Sequence, residues 1–275
     1  MTLVASEFAY LQDLVFERSA IVLSDDKHYL IEPRLMPLAR ELGLDGVTDI
    51  VDRIRNAGDR NLETRVVEAM TTNETLWMRD IHPWNALRRT VVPEIMQRKA
   101  DARQLSVWSA ASSTGQEIYS VAMVLEEDFP QLHSWQVDLL GTDLSTEVLE
   151  RARQGLYSTL EVNRGLPASM LVRYFTQEGA GYRLNDSVRR SVRFVQMNLA
   201  TPRTPMSRFD VIFLRNVLIY FDVPTKQRIL SAAAGALAPG GYLFLGAAEN
   251  MMGVCDLFSA QSAQGATFYR LKGQS

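Results

Sequence analysis

The sequence lacks the features that mark several large protein classes. It has one cysteine in 275 residues, Cys255, which excludes an internal disulfide and is typical of a reducing compartment. The neighbours of Cys255 offer no spacing suited to metal ligands, and no metal site is expected. The net charge of −3 lacks the basic excess of most nucleic-acid-binding proteins, so nucleic acid is not an expected partner.

The sequence also lacks a recognisable targeting or membrane-spanning segment. Its first twenty residues have neither the basic start nor the long apolar core of a signal peptide. Residues 229–248, ILSAAAGALAPGGYLFLGAA, have the length of a membrane span, but APGG at 238–241 divides them. We therefore predict a helix, a turn and a buried strand there, in a cytoplasmic protein with no direct membrane insertion.

The chain is predicted to combine a helical part with an α/β part. Residues 1–72 show apolar residues at helical spacing and no strand-like alternation, which predicts a small all-α bundle. Residues 73–87 are predicted to be a linker, and residues 88–275 alternate apolar runs with helical stretches, as in an open α/β sheet. An insertion at about 171–192 is predicted to form a small β-hairpin. The predicted helices of the bundle are 8–21, 25–44, 45–58 and 61–72. The predicted strands of the α/β part are 104–111, 135–143, 192–199, 209–218, 241–248 and 266–271. The predicted helices between these strands are 115–127, 145–154 and 224–238.

The loop after the first predicted strand lacks the three glycines of a dinucleotide-binding motif. In WSAASSTGQEIYSVAM, residues 108–123, only Gly115 is present. Glu117 lies in the first turn of the next helix, where an acid suits a cationic or neutral polar ligand better than a diphosphate. Alternatively, Thr114 and Glu117 form an ordinary capping box with no role in ligand binding.

Polar residues also follow the other predicted strands. Asp143 ends the second strand, where an acid can accept hydrogen bonds from ribose hydroxyls; alternatively it caps the next helix. Asn198 lies at the end of the third strand, where an amide can bind an adenine edge. Arg215, Asn216 and Tyr220 follow the fourth, although Tyr220 could instead be a core residue. Together these residues favour a nucleoside ligand without a diphosphate, such as S-adenosylmethionine.

These motifs together resemble the CheR-type chemotaxis receptor methyltransferases. The matching stretches occur in the family's order and span nearly the whole chain: NETLWMRD, WSAASSTGQEIYSVAM, GTDLSTEVLERARQGLY, VRFVQMNL, FDVIFLRNVLIYFD and LAPGGYLFLGAAE. The resemblance implies an all-α N-terminal domain for receptor docking, then a Rossmann-like class I methyltransferase domain with a small β insertion. It also implies transfer of a methyl group from S-adenosylmethionine to chemoreceptor glutamates, with S-adenosylhomocysteine as the product.

The resemblance also implies roles for individual residues. Arg79 and Tyr220 would line the reacting centre. Arg34 and Arg40 would contact the receptor, although each could simply lie on a solvated helix face. The residues implied to contact the cofactor are Asn73, Thr75, Arg79, Glu117, Asp143, Asn198, Leu199, Arg215 and Asn216.

The sequence departs from the family pattern at several places. Gln116 replaces an acid, and GAAENM at 246–251 replaces a pattern with His-Ser before the acid. The hairpin stretch QEGAGYRL at 177–184 is shorter than the one that binds a receptor pentapeptide in some members, so we predict that no pentapeptide tether is needed. We also expect a monomer.

Three other functions are alternatives to receptor methylation. The chain could be a non-catalytic S-adenosylmethionine-binding partner module or a methyltransferase with a non-receptor target. The third alternative is an NAD-dependent dehydrogenase, against which the missing glycines argue.

Overall fold

The computed structural model describes residues 4–201 and 208–273. The chain forms two compact units. The first comprises the described residues up to Thr72 together with Tyr220–Thr225, and the second comprises Asn73–Ile219 with the described residues from Lys226 onward. Within the described ranges, no helix is both long enough and apolar enough to cross a membrane.

The first unit is an all-α bundle, as predicted. Leu11 and Leu35 are fully buried, because apolar residues at helical spacing give each helix one apolar face. Gly58 ends the third helix in the left-handed conformation, and Asp59 caps the fourth by accepting a hydrogen bond from the Leu62 N–H at 3.0 Å. The helices are α1 (Ala5–Ser19), α2 (Ile31–Glu41), α3 (Val47–Ala57) and α4 (Arg60–Met70), and a 3₁₀ segment covers Asp25–Leu30.

The second unit begins with a loop and a continuous helical stretch. Residues 73–80 contain no helix or strand. Helix α5 (Ile81–Ala86) then continues through a π-helical turn at Leu87–Val91 into α6 (Val92–Arg98). Trp84 of α5 stacks on Phe213, at 5.8 Å between ring centroids, and is almost fully buried. This contact fixes the start of the helix, and hence the end of the loop, against the core.

The core of the second unit is a seven-stranded, mostly parallel sheet, which confirms the predicted fold class. The strands of the second unit are β1 (Gln104–Ala110), β2 (Gln136–Asp143), β3 (Leu156–Ser158), β4 (Phe175–Glu178), β5 (Gly181–Leu184), β6 (Val192–Gln196), β7 (Phe209–Leu214), β8 (Leu237–Leu245), β9 (Phe258–Ala263) and β10 (Ala266–Leu271). The order in the seven-stranded sheet is β6-β2-β1-β7-β8-β10-β9, with β10 antiparallel to both neighbours. Helix α7 (Gln116–Asp128) follows β1, α8 (Thr146–Gln154) follows β2 and α12 (Val223–Ala236) follows β7.

A second, three-stranded antiparallel sheet has the order β3-β5-β4. The β4–β5 pair is a hairpin inside the predicted insertion, whereas β3 lies outside it. Three helices accompany this sheet or follow it directly: α9 (Thr159–Val162), α10 (Ala168–Tyr174) and α11 (Asp186–Arg189). The insertion is therefore a small sheet with helices, and it begins before residue 171.

The predicted turn at 238–241 is part of a strand. β8 begins at Leu237, and its pairing with β7 jumps from Phe209–Leu237 to Val211–Tyr242. This irregularity accommodates APGG as a bulge. Arg98 and Arg270 donate to the Gly240 carbonyl at 2.7 and 3.2 Å, so the bulged backbone still has hydrogen-bond partners.

Candidate functional site

The loop between β1 and α7 turns sharply at the carboxyl end of β1. Ala111, Ser113 and Gly115 all have positive φ, at 59°, 50° and 92°. A Cβ on Gly115 would lie 3.0 Å from the Tyr119 ring and 3.1 Å from the Ala152 Cβ. Gly115 is therefore required by its backbone conformation and by close packing against two helices, and neither reason involves a diphosphate.

The capping-box alternative for this loop is not what the structure shows. Gly115 is the N-cap of α7 and offers no side chain. The Thr114 hydroxyl instead donates to Gln116 Oε1 at 2.8 Å, and both side chains are buried. An amide suits this position because a buried carboxylate would need a compensating cation.

Glu117 points away from the helix cap into a polar cluster. Its Oε1 accepts a hydrogen bond from the Ser109 hydroxyl at 2.8 Å. Its Oε2 pairs with Arg215 Nη1 at 2.8 Å, and the side chain is 13% exposed. Both oxygens therefore have hydrogen-bond donors, which fix the orientation of the carboxylate.

Arg215 lies at the carboxyl end of β7 and connects Glu117 to the loop 73–80. Its side chain is 1% exposed, and Nη2 donates to Asp80 Oδ2 at 2.7 Å and to the Arg79 carbonyl at 2.9 Å. We call Arg215, Glu117, Asp80 and Ser109 the Arg215 cluster. One guanidinium faces two carboxylates, so the cluster carries a formal net charge of −1, which suits a cationic ligand. Asp80 was not among the predicted site residues, although it directly follows Arg79 in NETLWMRD.

Asp143 joins two loops at adjacent strand ends. Its Oδ2 accepts from the Ser113 N–H at 2.9 Å and its Oδ1 from the Ser145 N–H at 3.0 Å. The cap of α8 is Ser145, whose hydroxyl accepts from the Val148 N–H, so Asp143 is not the N-cap. A carboxylate accepts hydrogen bonds on both of its oxygens, which is what a pair of ribose hydroxyls requires.

Asn198 and Leu199 follow β6, the strand next to β2. The Met197 N–H donates to the Asp143 carbonyl at 2.8 Å, which carries the pairing of the two strands past the end of β6. Asn198 Oδ1 accepts from the Ala200 N–H at 2.9 Å, and Leu199 is buried. This turn lies at the same sheet edge as Asp143.

The loop 73–80 is attached to the same edge. The Ser113 hydroxyl donates to the Asn73 carbonyl at 2.7 Å, and the Met78 N–H donates to the Ser120 hydroxyl at 3.2 Å. Trp77 is almost fully buried, and its ring contacts the rings of Tyr157 and Phe175 edge-on at centroid distances of 4.9 and 5.3 Å.

The structure therefore brings most of the predicted cofactor residues to one edge of the sheet, where the strand order reverses between β1 and β7. Thr75 and Arg79 lie in the same attached loop and are partly exposed. Within residues 4–201 and 208–273, the Arg79 guanidinium makes no hydrogen bond or ion pair, which leaves its charge available to a ligand or substrate.

Tyr220 belongs to the first unit. Its carbonyl accepts a hydrogen bond from the Val22 N–H at 2.9 Å, and Ile21 and Phe221 form an isolated antiparallel bridge beside it. Its side chain is half-buried, so it is not a fully enclosed core residue.

The two candidate docking arginines lie on α2 but do not share a face, because six residues of α-helix turn through about 600° and so separate them by about 120°. Arg34 donates to the Thr71 carbonyl at 3.0 Å and to the Thr72 hydroxyl at 2.9 Å, beyond the C-terminus of α4, and burial lowers the pKa of its guanidinium. Arg40 is exposed at the edge of a groove of about 1050 Å³ between α1 and α2. Arg34 thus has a structural role that the sequence did not reveal.

The residues at the sheet edge fit S-adenosylmethionine. Two buried polar atoms there, Ser112 Oγ and Arg215 Nε, have no hydrogen-bond partner among the described residues. A ligand carboxylate or hydroxyl would satisfy such atoms. Asp143 suits a ribose, and the net negative Arg215 cluster suits an ammonium or a sulfonium, so the donor set matches a cationic nucleoside that carries an amino acid.

Comparisons with known proteins agree with this geometry. Residues 73–266 match the family described as CheR methyltransferase, SAM binding domain, and residues 6–71 match the CheR methyltransferase all-alpha domain. A chemotaxis protein methyltransferase of Vibrio parahaemolyticus is 38% identical over 275 residues, covering 99% of each chain. Chemotaxis protein methyltransferase 1 of Pseudomonas aeruginosa is 38% identical, covering 99% of this chain and 100% of its own. Chemotaxis protein methyltransferase Cher2 of Pseudomonas putida is 36% identical, covering 97% and 98%. The chain belongs to the CheR methyltransferase family, and its cofactor is S-adenosylmethionine.

Proposed function

We propose that this methyltransferase transfers the methyl group of S-adenosylmethionine to glutamate side chains of chemoreceptors, giving methyl esters and S-adenosylhomocysteine. The observation that carries the proposal is the polar edge of the sheet, where Asp143 and the Arg215 cluster fit the cofactor and the Arg79 guanidinium has no partner among the described residues. It is supported by family membership over both parts of the chain.

The proposed cofactor contacts follow from the charges and partners of each residue. Glu117, held by Ser109 and Arg215, binds the ammonium of the methionine part. Asp143, held by two backbone N–H groups, binds the ribose hydroxyls. Asn198 and Leu199 contact the adenine. Asn73, Thr75 and Asn216 complete the cofactor contacts around this edge.

The chemistry needs no general base. A glutamate carboxylate has a pKa of about 4.3 in water, so the substrate is already an anion at neutral pH. The bound cofactor supplies a methyl group on a positively charged sulfur, which is a good leaving group. The protein's contribution is therefore to orient the carboxylate for in-line attack and to remove water from it.

Arg79 and Tyr220 are the residues proposed for the reacting centre. The guanidinium of Arg79 attracts the incoming carboxylate, and its backbone is held in place because the Arg79 carbonyl accepts from Arg215. The Tyr220 hydroxyl would donate a hydrogen bond near the sulfonium or the carboxylate. Arg79 must not bind the carboxylate too tightly, because equal stabilisation of ground and transition states gives no acceleration.

The helical unit is proposed to bind the receptor. Methylation helices are rich in glutamates, so a cation on an exposed helix face would guide the encounter. Arg40 is exposed and suits this role, while Arg34 is already bound to the residues that follow α4. The receptor helices lie in the cytoplasm, where we place this enzyme.

We further propose that the enzyme acts as a monomer and needs no pentapeptide tether. The β4–β5 hairpin is closed by the two residues Gly179 and Ala180, which offer little surface for a peptide. Calorimetry with pentapeptides from receptor C-termini should show no binding, and micromolar binding would overturn this part of the proposal.

The main experiment is transfer of labelled methyl groups from S-adenosylmethionine to soluble cytoplasmic fragments of candidate receptors. The wild-type enzyme should label a fragment that retains its glutamates, and Arg79→Ala should label it far more slowly. A fragment whose methylation-helix glutamates are replaced by alanine serves as the substrate control. Equal labelling of both fragments would contradict glutamate as the acceptor.

A further inference from the structure

We propose that Glu249 is a positioning residue that holds the segment 216–219 in the conformation needed for methyl transfer. This inference rests on the proposed function. Glu249 lies in GAAENM, the loop after β8, and none of the predicted roles includes it. Its hydrogen bonds reach backbone N–H groups rather than a reacting side chain, so it would act through the segment it holds.

The Glu249 carboxylate accepts three backbone hydrogen bonds. Its Oε2 accepts from the Asn216 N–H at 2.7 Å and from the Gly246 N–H at 2.8 Å. Its Oε1 accepts from the Ile219 N–H at 3.3 Å. The Glu249 N–H in turn donates to the Gly246 carbonyl at 2.9 Å, which closes the turn 246–249. One side chain thus ties the end of β8 to both ends of the segment 216–219.

The segment needs this support because of its backbone and its position. Asn216 has a φ of 58°, a left-handed conformation that asparagine tolerates but does not strongly prefer. On one side it follows Arg215, the centre of the Arg215 cluster, and on the other it leads through Ile219 to Tyr220. Asn216 and Tyr220 are both proposed site residues, so a shift of this segment would displace both.

Gly246 supports the same arrangement sterically. A Cβ at this position would lie 2.7 Å from Glu249 Oε2, 2.7 Å from Asn216 Nδ2 and 2.9 Å from the Asn216 nitrogen. Only a residue without a side chain allows the turn and the segment to approach this closely. Gly246→Ala is therefore a second, independent way to disturb the contact.

A carboxylate is the side chain that fits three donors. Both of its oxygens accept, whereas an amide has one acceptor and one donor group. In Glu249→Gln, either the Asn216 and Gly246 donors or the Ile219 donor would face an NH₂ group. The substitution keeps the size of the side chain and so tests the hydrogen bonds rather than packing.

The test measures kcat with a soluble receptor fragment and the dissociation constant for S-adenosylmethionine, together with the melting temperature. Glu249→Gln and Gly246→Ala should each lower kcat by about tenfold or more, because a shift of ~1 Å at a reacting group can cost ~10²-fold. The dissociation constant should change less than kcat, since Asp143 and Asn198 are not attached to Glu249. Glu249→Asp keeps the charge and should restore part of kcat relative to Glu249→Gln.

The matched control is Glu161→Gln. Glu161 lies in the same unit but outside the site, where it accepts from the Ser158 N–H at 2.9 Å and pairs with Arg151 at 3.0 Å. Glu161→Gln therefore also removes a carboxylate that accepts from a backbone N–H, and it should keep normal kcat. Normal kcat in Glu249→Gln and Gly246→Ala, or parallel losses of kcat, cofactor affinity and melting temperature, would overturn the inference. If wild-type protein binds S-adenosylmethionine but labels no receptor fragment, the proposed function fails and the inference with it.

Discussion

Removing the cation at the centre of the Arg215 cluster should leave two carboxylates without their partner. Arg215→Met keeps a long side chain at a position that is 1% exposed and removes the guanidinium. Glu117 then retains only the Ser109 hydroxyl, and Asp80 loses the hydrogen bond that holds it beside Arg79. Both the stability of the second unit and its cofactor site should suffer.

The size of the effect follows from the exposure of each carboxylate. Breaking a buried ion pair by removing one partner costs about 3–5 kcal/mol, and Glu117, whose side chain is 13% exposed, lies close to that case. Asp80 is 39% exposed, so water screens its pair with Arg215 and its share is about 0–1 kcal/mol. Because Glu117 is partly exposed and keeps the Ser109 hydroxyl, we take the lower end of its range and expect a total loss of about 3–4 kcal/mol. At about 2–4 °C per kcal/mol, the melting temperature should fall by about 6–16 °C.

The assay is a double-mutant cycle by thermal and urea unfolding, with cofactor binding measured by calorimetry. Arg215→Met combined with Glu117→Gln removes the pair together and should be more stable than Arg215→Met alone, because no uncompensated buried charge remains. Both single variants should bind S-adenosylmethionine weakly. Simple additivity of the two single losses would refute the coupling, and a melting temperature unchanged in Arg215→Met would refute the magnitude.

Four further substitutions test separate roles. Arg79→Ala should lower kcat by about 10²-fold, as loss of a charge-stabilising donor typically does, with a smaller change in cofactor affinity; near-normal turnover would remove Arg79 from the chemistry. Asp143→Asn should weaken S-adenosylmethionine binding about tenfold, because charge-assisted hydrogen bonds are lost; calorimetry showing an unchanged dissociation constant would contradict a ribose contact. Arg40→Glu should raise KM for a receptor fragment about two- to fivefold with normal cofactor binding, and an unchanged KM would contradict the docking role. Arg34→Glu should instead mainly lower the melting temperature of the bundle.

The fold could be predicted from the sequence where apolar periodicity was strong. The bundle and the parallel strands with their helices are where the patterns placed them. β3 has only three residues, and β9, FSAQSA, consists mostly of small and polar residues, so neither produces a clear alternation. The bulge in β8 was predicted as a turn because APGG carries a turn signal, and its pairing with β7 depends on contacts distant in sequence.

The candidate site could be predicted only where position along a strand was informative. Glu117 follows a predicted strand and Asp143 ends one, so their positions made them candidates, and the family resemblance implied their roles. Asp80 pairs with Arg215, which is 135 residues away in the sequence, and Glu249 accepts hydrogen bonds from backbone N–H groups. No local sequence pattern marks either kind of contact. The contacts of Arg34 with the residues after α4 were hidden for the same reason. The cofactor and docking roles of the predicted residues stay predictions that the substitutions above test.

The most direct test of the central claim is the chemical nature of the transferred methyl group. Receptor fragment labelled by this enzyme with tritiated S-adenosylmethionine should release volatile tritiated methanol on mild alkaline treatment, as a glutamate methyl ester must. Digestion and mass spectrometry should place the label on glutamate side chains. Label that survives alkali, as a methyl group on nitrogen would, or the absence of transfer to any receptor fragment, would contradict the account.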